Sequence, residues 1–253
     1  MGSIDLTREG DIAVVTINNP GKRNAMTDDM WRQMPAVIRE IDADDTILST
    51  VLTGEGGMFC AGADISGLDE LHHTERPTNA ETAIASSHKP VIAAIEGTCF
   101  GGGVQMAVAC DLRIAGESAI FSTPPARLGI VYPVSATQRM LHIMGVAATK
   151  EMLFTAVRYD AQRALAVGLL NRVVEDGSAL AAALDVATEM AKLSQLTIHA
   201  SKDIVDGLVR RDLSAETAIA WVARANEGPD LQEGIAAFSE RRVPEFTWRP
   251  SEG

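Results

Sequence analysis

Two glycine-containing segments of this chain are suited to hold negative charge. Lys89-Pro90-Val91-Ile92-Ala93-Ala94-Ile95-Glu96-Gly97-Thr98-Cys99-Phe100-Gly101-Gly102-Gly103-Val104-Gln105 reads as a buried strand that stops at a glycine, turns, and opens a helix through three consecutive glycines. Backbone N–H groups at a helix start have no intrahelical partner. The helix dipole adds partial positive charge there, and glycine lets a ligand approach the main chain closely. Upstream, Phe59-Cys60-Ala61-Gly62-Ala63-Asp64-Ile65 offers a second such turn. Two N–H groups converging from these turns would form an oxyanion hole, which stabilises a carbonyl oxygen as it gains charge. Taken singly, either turn would more readily serve tight strand–helix packing.

Other chemistry-bearing residues carry weaker signals. Asp64 reads as a helix cap and Asp111 as a structural aspartate at a strand start. The polar segment Gly67 to Asn79 reads as a loop, and its Asp69, Glu70, His72 and His73 could reach a pocket or simply be solvated. Cys60, Cys99 and Cys110 have no metal-like or CxxC spacing and no partner to activate them, so they are read as inert thiols. His88 and His142 lack ligand spacing as well, and no metal is expected.

The elements that must position these turns follow from periodicity. Ile12 to Ile17, Ile47 to Leu52 and Pro90 to Glu96 read as strands, with shorter candidates at Leu112–Ala115 and Ile120–Phe121. Thr27-Asp28-Asp29 is a helix start, and that helix should run to about Asp42. Gly101–Ala109, Ala147–Thr155, Ala161–Val167 and Leu180–Leu193 read as further helices. Alternating strands and helices imply an α/β fold with right-handed crossovers. Beyond Leu196 the strand signals stop, and helical spacing continues through Ala215–Ala225 and Leu231–Phe238. The chain thus divides into a core, residues 1–195, and a helical C-terminal region, residues 196–253.

Hydrophobic residues at 46% of 253 are ample for a packed core. A net charge of −12 disfavours nucleic acid and anionic lipid as partners, and no apolar run is long enough to span a membrane. A reduced, cytoplasmic setting is expected. Any phosphate site would need local Lys or Arg against that background.

Eight ordered segments resemble the enoyl-CoA hydratase/isomerase (crotonase) superfamily. They begin at Asn19-Pro20-Gly21-Lys22-Arg23-Asn24-Ala25-Met26 and Val51-Leu52-Thr53-Gly54, and include the two glycine turns and Cys110-Asp111-Leu112-Arg113-Ile114-Ala115. Thr137-Gln138-Arg139, Ala164 to Leu169 and Ala237 to Phe246 complete them. The resemblance implies a spiral of ββα units with a helical appendage that packs across a trimer interface. The homotrimer could pair into a hexamer. It implies an acyl-CoA thioester as substrate, with no cofactor beyond the CoA it carries. The oxyanion donors would be the N–H groups of Ala63 and Gly102. CoA would contact Lys22, Arg23, Ala61, Ala63 and Ile65, with Phe238 and Arg241 covering the nucleotide.

The chain departs from the family where acid–base chemistry is done. Family hydratases carry two glutamates. Gln105 stands at the first position and Pro125 at the second. Glutamine can hold a water but has no proton to exchange near neutral pH. Phe121 to Tyr132 resembles the methylmalonyl-CoA decarboxylase branch, where proline also replaces the second glutamate. There Tyr132 would hydrogen-bond a leaving carboxylate or protonate the product. A core aromatic is the competing reading of Tyr132. Decarboxylation of a malonyl-type CoA, hydration or isomerisation by a non-standard acid, and acyl-CoA binding without turnover are the expectations carried forward. A carboxylate from the Gly67–Asn79 loop reaching the pocket would favour hydration or isomerisation, whereas a polar pocket centred on Tyr132 without nearby acids would favour decarboxylation.

Overall fold

The computed structural model describes residues 2–64, 66 and 74–249. Strands β1 (Ser3–Glu9), β2 (Ile12–Asn18), β3 (Ser49–Gly54), β4 (Val91–Ile95), β6 (Leu112–Gly116) and β9 (Arg172–Val174) form one sheet in the order β1-β2-β3-β4-β6-β9. β1 and β2 are an antiparallel hairpin, with Ser3 opposite Asn18, and every later pairing in this sheet is parallel. β5 (Thr98–Phe100), β7 (Ile120–Ser122) and β8 (Tyr159–Asp160) form a second sheet in the order β5-β7-β8. The chain gives one strand to each sheet in turn, β4 then β5 and β6 then β7, before it leaves into a helix. This is the spiral of ββα units.

The large sheet is covered on both faces, so its central strands are apolar throughout. Successive side chains of β4 point opposite ways. Ile92 and Ala94 face helix α7 (Ala179–Ala191), whose Ala179, Ala183 and Ala187 recur at i+4 and let the helix lie close to the sheet. Val91, Ala93 and Ile95 face the main core with Trp31, Phe59 and Phe121. Helix α1 (Asp28–Ala43) starts as expected: the Thr27 hydroxyl accepts the Met30 N–H, and Asp28 and Asp29 occupy the first turn.

Several boundaries differ from the sequence expectations. Helix α2 (Arg76–Ser86), absent from the expected helices, begins inside the segment read as a loop up to Asn79, with Pro77 in its first turn. Helix α3 (Gly102–Ala107) is shorter than the expected 101–109. A one-turn helix, α4 (Pro125–Leu128), follows β7, and helix α5 (Val134–Thr155) starts well before Ala147 and bends at Gly145. Its second half is the stretch the periodicity detected. Strand β3 begins at Ser49 rather than Ile47, because the Leu48 N–H bonds Asp11 outside the ladder. α6 (Ala161–Ala166) lies between β8 and β9.

From Gln195 the chain is helical: α8 (Gln195–Arg210), α9 (Ala215–Glu227) and α10 (Pro229–Glu240). Trp248 returns to pack edge-on against His199 of α8, ring centroids 5.5 Å apart. Among the described residues no helix is long and apolar enough to cross a membrane.

Candidate active site

The two glycine turns are laced together by main-chain bonds. On one side of residues 60–64, Ala61 N–H donates to Arg23 (3.0 Å), Met26 N–H to Gly62 (2.8 Å) and Asp64 N–H to Met26 (2.9 Å). On the other side, Cys60 N–H donates to Thr98 (2.9 Å) and Phe100 N–H to Cys60 (2.9 Å). This ladder sets Ala63 beside Gly102. A Cβ placed on Gly102 would lie 3.4 Å from Ala63 N and would strike the Trp31 ring at 2.8 Å. A Cβ on Gly62, whose φ is +105°, would lie 3.5 Å from Gly102 N. Only glycine fits such an approach. Among the described residues the Ala63 and Gly102 N–H groups donate to nothing. Two unpaired donors from different segments thus lie side by side. α3 spans only six residues, so the field there is mainly that of the two peptides.

A buried carboxylate that sequence reasoning missed lies on helix α2 and faces Gln105 of α3. Glu81, on α2, is fully buried between α2, α3 and α5. Its Oε1 pairs with Arg139 Nη1 of α5, while its Oε2 has no hydrogen-bond partner. Gln105 and Ser135 face the same carboxyl, and Gln105 Nε2 and Ser135 Oγ are also buried and unpartnered. Both side chains lie close enough to Glu81 to favour its charged form, so three buried polar groups from α2, α3 and α5 meet at one point. Burial pushes the Glu81 carboxyl above the usual glutamate range, against the opposing effects of Ser135, Arg139 and Gln105. The one sequence signal is an acid in the apolar stripe of a helix, next to buried Ala80 and three residues from buried Ile84.

Tyr132 packs against the main core, and its hydroxyl donates to the Gly101 carbonyl at 2.8 Å. Burial, then the Glu81 charge, pushes its phenol well above 10, so it stays a donor. Pro125 is buried at the start of α4 and offers no proton. The Lys22 ammonium bonds the Asp64 carboxylate at 2.5 Å, and Asp64 also accepts the Ser66 N–H. Lys22, with Arg23 in the left-handed region (φ 52°), stands at the edge of the Ala61–Ala63 turn. Phe238 and Arg241 lie at the end of α10, where the Phe238 ring is 87% exposed. Ile65 and the loop residues Asp69, Glu70, His72 and His73 lie outside the described residues. Asp111 accepts the Val91 N–H and pairs with Lys202. The three cysteines are buried, and burial pushes the Cys60 and Cys110 thiols up to about 12, which leaves them protonated. No cluster of metal-ligating side chains occurs among the described residues.

A cavity of about 640 Å³ opens elsewhere, between the end of α2 and helices α8 and α9. Its Lys202 pairs with Asp111 and Asp206, its Arg210 pairs with Asp212, and its Arg224 stacks on Trp221. Charges already satisfied within the chain hold little for a ligand.

The family model for enoyl-CoA hydratase/isomerase matches residues 7–249. A short-chain-enoyl-CoA hydratase of Clostridium acetobutylicum is 34% identical, over 96% of this chain and 96% of that protein. A crystal structure of an enoyl-CoA hydratase/isomerase family member superposes with a TM-score of 0.94 at 33% identity, covering 99% of this chain and 98% of the other. A crystal structure described as an enoyl-CoA hydratase/carnithine racemase from Magnetospirillum magneticum gives 0.89 at 34% identity, with coverages of 96% and 95%.

Proposed function

Because the chain belongs to the enoyl-CoA hydratase/isomerase family, and is thus an acyl-CoA enzyme of the crotonase superfamily, we propose that it reversibly adds water to a 2-enoyl-CoA, with Glu81 as its acid–base group. The observation that carries this reading is the buried, half-paired Glu81 carboxylate facing Gln105 and Ser135, together with the Ala63 and Gly102 donors.

The steps follow from the groups present. The thioester oxygen accepts hydrogen bonds from the N–H groups of Ala63 and Gly102. A water held by Gln105 and Ser135 attacks C3, and the π electrons move onto the thioester oxygen as an enolate. The proton lost by the water passes to Glu81. The same carboxyl then returns a proton to C2, and the enolate collapses to the 3-hydroxyacyl thioester. Loss of one oxyanion donor costs about 3–4 kcal/mol in comparable sites. A raised carboxyl pKa brings Glu81 nearer neutrality, where giving and taking a proton are both efficient.

The same geometry weighs against decarboxylation. The Tyr132 hydroxyl is already engaged by Gly101, and an ionised Glu81 nearby would repel a malonyl-type carboxylate. Lys22, Arg23, Ala61 and Ala63 are proposed to line the CoA entry. The bare ring of Phe238, together with exposed Ile219, Val222 and Ile235, supports assembly as a trimer or hexamer in which Phe238 and Arg241 meet a neighbour's nucleotide.

The test is mass spectrometry of crotonyl-CoA, a 3-enoyl-CoA, malonyl-CoA and methylmalonyl-CoA after incubation with the protein. Gain of one water by crotonyl-CoA is expected. Loss of CO2 from a malonyl-type thioester, with crotonyl-CoA untouched, would overturn the reading.

A further inference from the structure

We infer that Tyr132 is a positioning residue for the oxyanion hole, because its hydroxyl donates at 2.8 Å to the carbonyl of the same peptide whose N–H, on Gly102, faces the thioester oxygen. The inference rests on the oxyanion reading above and assigns Tyr132 a role apart from the leaving group or the product.

An amide is one conjugated unit. A hydrogen bond accepted by its oxygen draws electron density along O=C–N and leaves the N–H a stronger donor, and chains of hydrogen bonds reinforce one another in this way. The Gly101–Gly102 peptide receives two such bonds. Gln105 N–H donates to the Gly101 oxygen at 3.0 Å, as the first bond of α3, and the Tyr132 hydroxyl takes the remaining lone pair. The other donor peptide is arranged alike, since the Gly62 carbonyl, in the peptide that carries the Ala63 N–H, accepts the Met26 N–H at 2.8 Å. Both oxyanion peptides therefore have engaged carbonyls and free N–H groups. Tyr132 supplies the one O–H among these donors, and as a side chain it can be removed without breaking the main chain.

The position of the hydroxyl is fixed from both sides. Pro133 follows Tyr132, caps α5, and restricts the tyrosine backbone to extended conformations. The ring packs on the buried core. A flexible Gly101-Gly102-Gly103 turn gains from such an anchor, because glycine backbones have many alternative conformations. Gly101 has φ +48°, and a small rotation of its peptide would turn the Gly102 N–H away from Ala63. The bond from Tyr132 opposes that rotation as well as polarising the peptide.

The experiment reads donor strength directly. The 4-dimethylaminocinnamoyl thioester of CoA is a push–pull chromophore whose absorption moves to the red when its carbonyl is polarised. Wild-type protein is expected to red-shift it on binding. Tyr132→Phe should give a clearly smaller shift, with Kd for the probe within about twofold and kcat on crotonyl-CoA lowered about 3- to 10-fold at unchanged KM. A Tyr132→Phe shift equal to wild type overturns the positioning role and leaves the oxyanion reading standing. No shift with wild-type protein overturns both. A second measurement covers a variant that fails to fold. The chain has two tyrosines, so uniform 3-fluorotyrosine labelling in a Tyr159→Phe background alters only Tyr132. The fluorinated phenol is the stronger donor and should enlarge the red shift, whereas an unchanged shift contradicts the proposal.

Discussion

The proposed oxyanion side of the site is main chain, whereas the proposed acid–base side is side chain, and the two are held in different ways. Around Ala63 and Gly102, the surrounding peptides are bonded to neighbouring segments, and the two N–H groups are left free in one place. Around Glu81, three buried polar groups on three helices meet, and an ion pair to Arg139 anchors the cluster. The first side is fixed by strand pairing and by the absence of side chains at Gly62 and Gly102. The second depends on how α2, α3 and α5 pack. On the proposed reading the proton chemistry sits on α2, because Gln105 and Pro125 offer no acid.

The sharpest way to separate the halves is Glu81→Gln. It preserves shape and removes the exchangeable proton, so kcat should fall by about 10²- to 10⁴-fold with KM little changed. The pH profile gives a second readout. The base must be ionised, and burial raises its pKa, so the acid limb of kcat/KM should lie above the ordinary glutamate value of 4.5 and vanish in the variant. A variant with wild-type kcat would return all catalysis to the main-chain side.

The opposite half is tested by Gly102→Pro, which deletes one donor N–H, against Gly102→Ala, which keeps it. Both place a Cβ against Trp31. The ratio of their kcat values therefore isolates the N–H, and about 10²- to 10³-fold is expected. Equal rates would mean that Gly102 serves packing alone.

A smaller effect probes the support behind the acid–base helix. His199 lies on α8 near His88, which follows the C-terminal end of α2, and its Nε2 is buried and unpartnered. Burial, with repulsion from His88, Lys89 and Lys202, lowers its pKa from 6.5 to about 4. The folded state thus resists protonation. Its contribution is complete above pH 6.5 and is lost as pH falls toward 4, a difference of up to about 3 kcal/mol. Thermal or urea unfolding between pH 7 and pH 4 should show this loss, and His199→Gln should flatten it. An equally steep pH dependence in the variant would assign the loss to other groups.

What could be read from the sequence divides along the same line. The turns at Phe59–Ile65 and Gly97–Gly103 are local, and their glycines and flanking apolar runs announce strand ends and a helix start. The Thr27 cap was legible for the same reason. Strands of two or three residues, such as β5, β8 and β9, are too short to carry a period, and they take their form from neighbours already in place. Glu81 was hidden because an acid on a helix reads as solvated until two other helices close over it. Lys22 likewise read as a CoA contact with no partner in view, yet Asp64, forty-two positions on, pairs with its ammonium. The bond from Tyr132 to Gly101 spans 31 positions and has no sequence pattern of its own.

The central claim is that a thioester enolate forms between the Ala63 and Gly102 donors and is protonated from Glu81. Incubation of 3-hydroxybutyryl-CoA in D2O containing H2(18)O tests it most directly, because reversal through the enolate exchanges both the C2 proton and the C3 oxygen with solvent. With wild-type protein, deuterium at C2 and solvent oxygen at C3 are expected, both suppressed in Glu81→Gln and in Gly102→Pro. Recovery of 3-hydroxybutyryl-CoA with neither label, from protein that binds it, would contradict the claim.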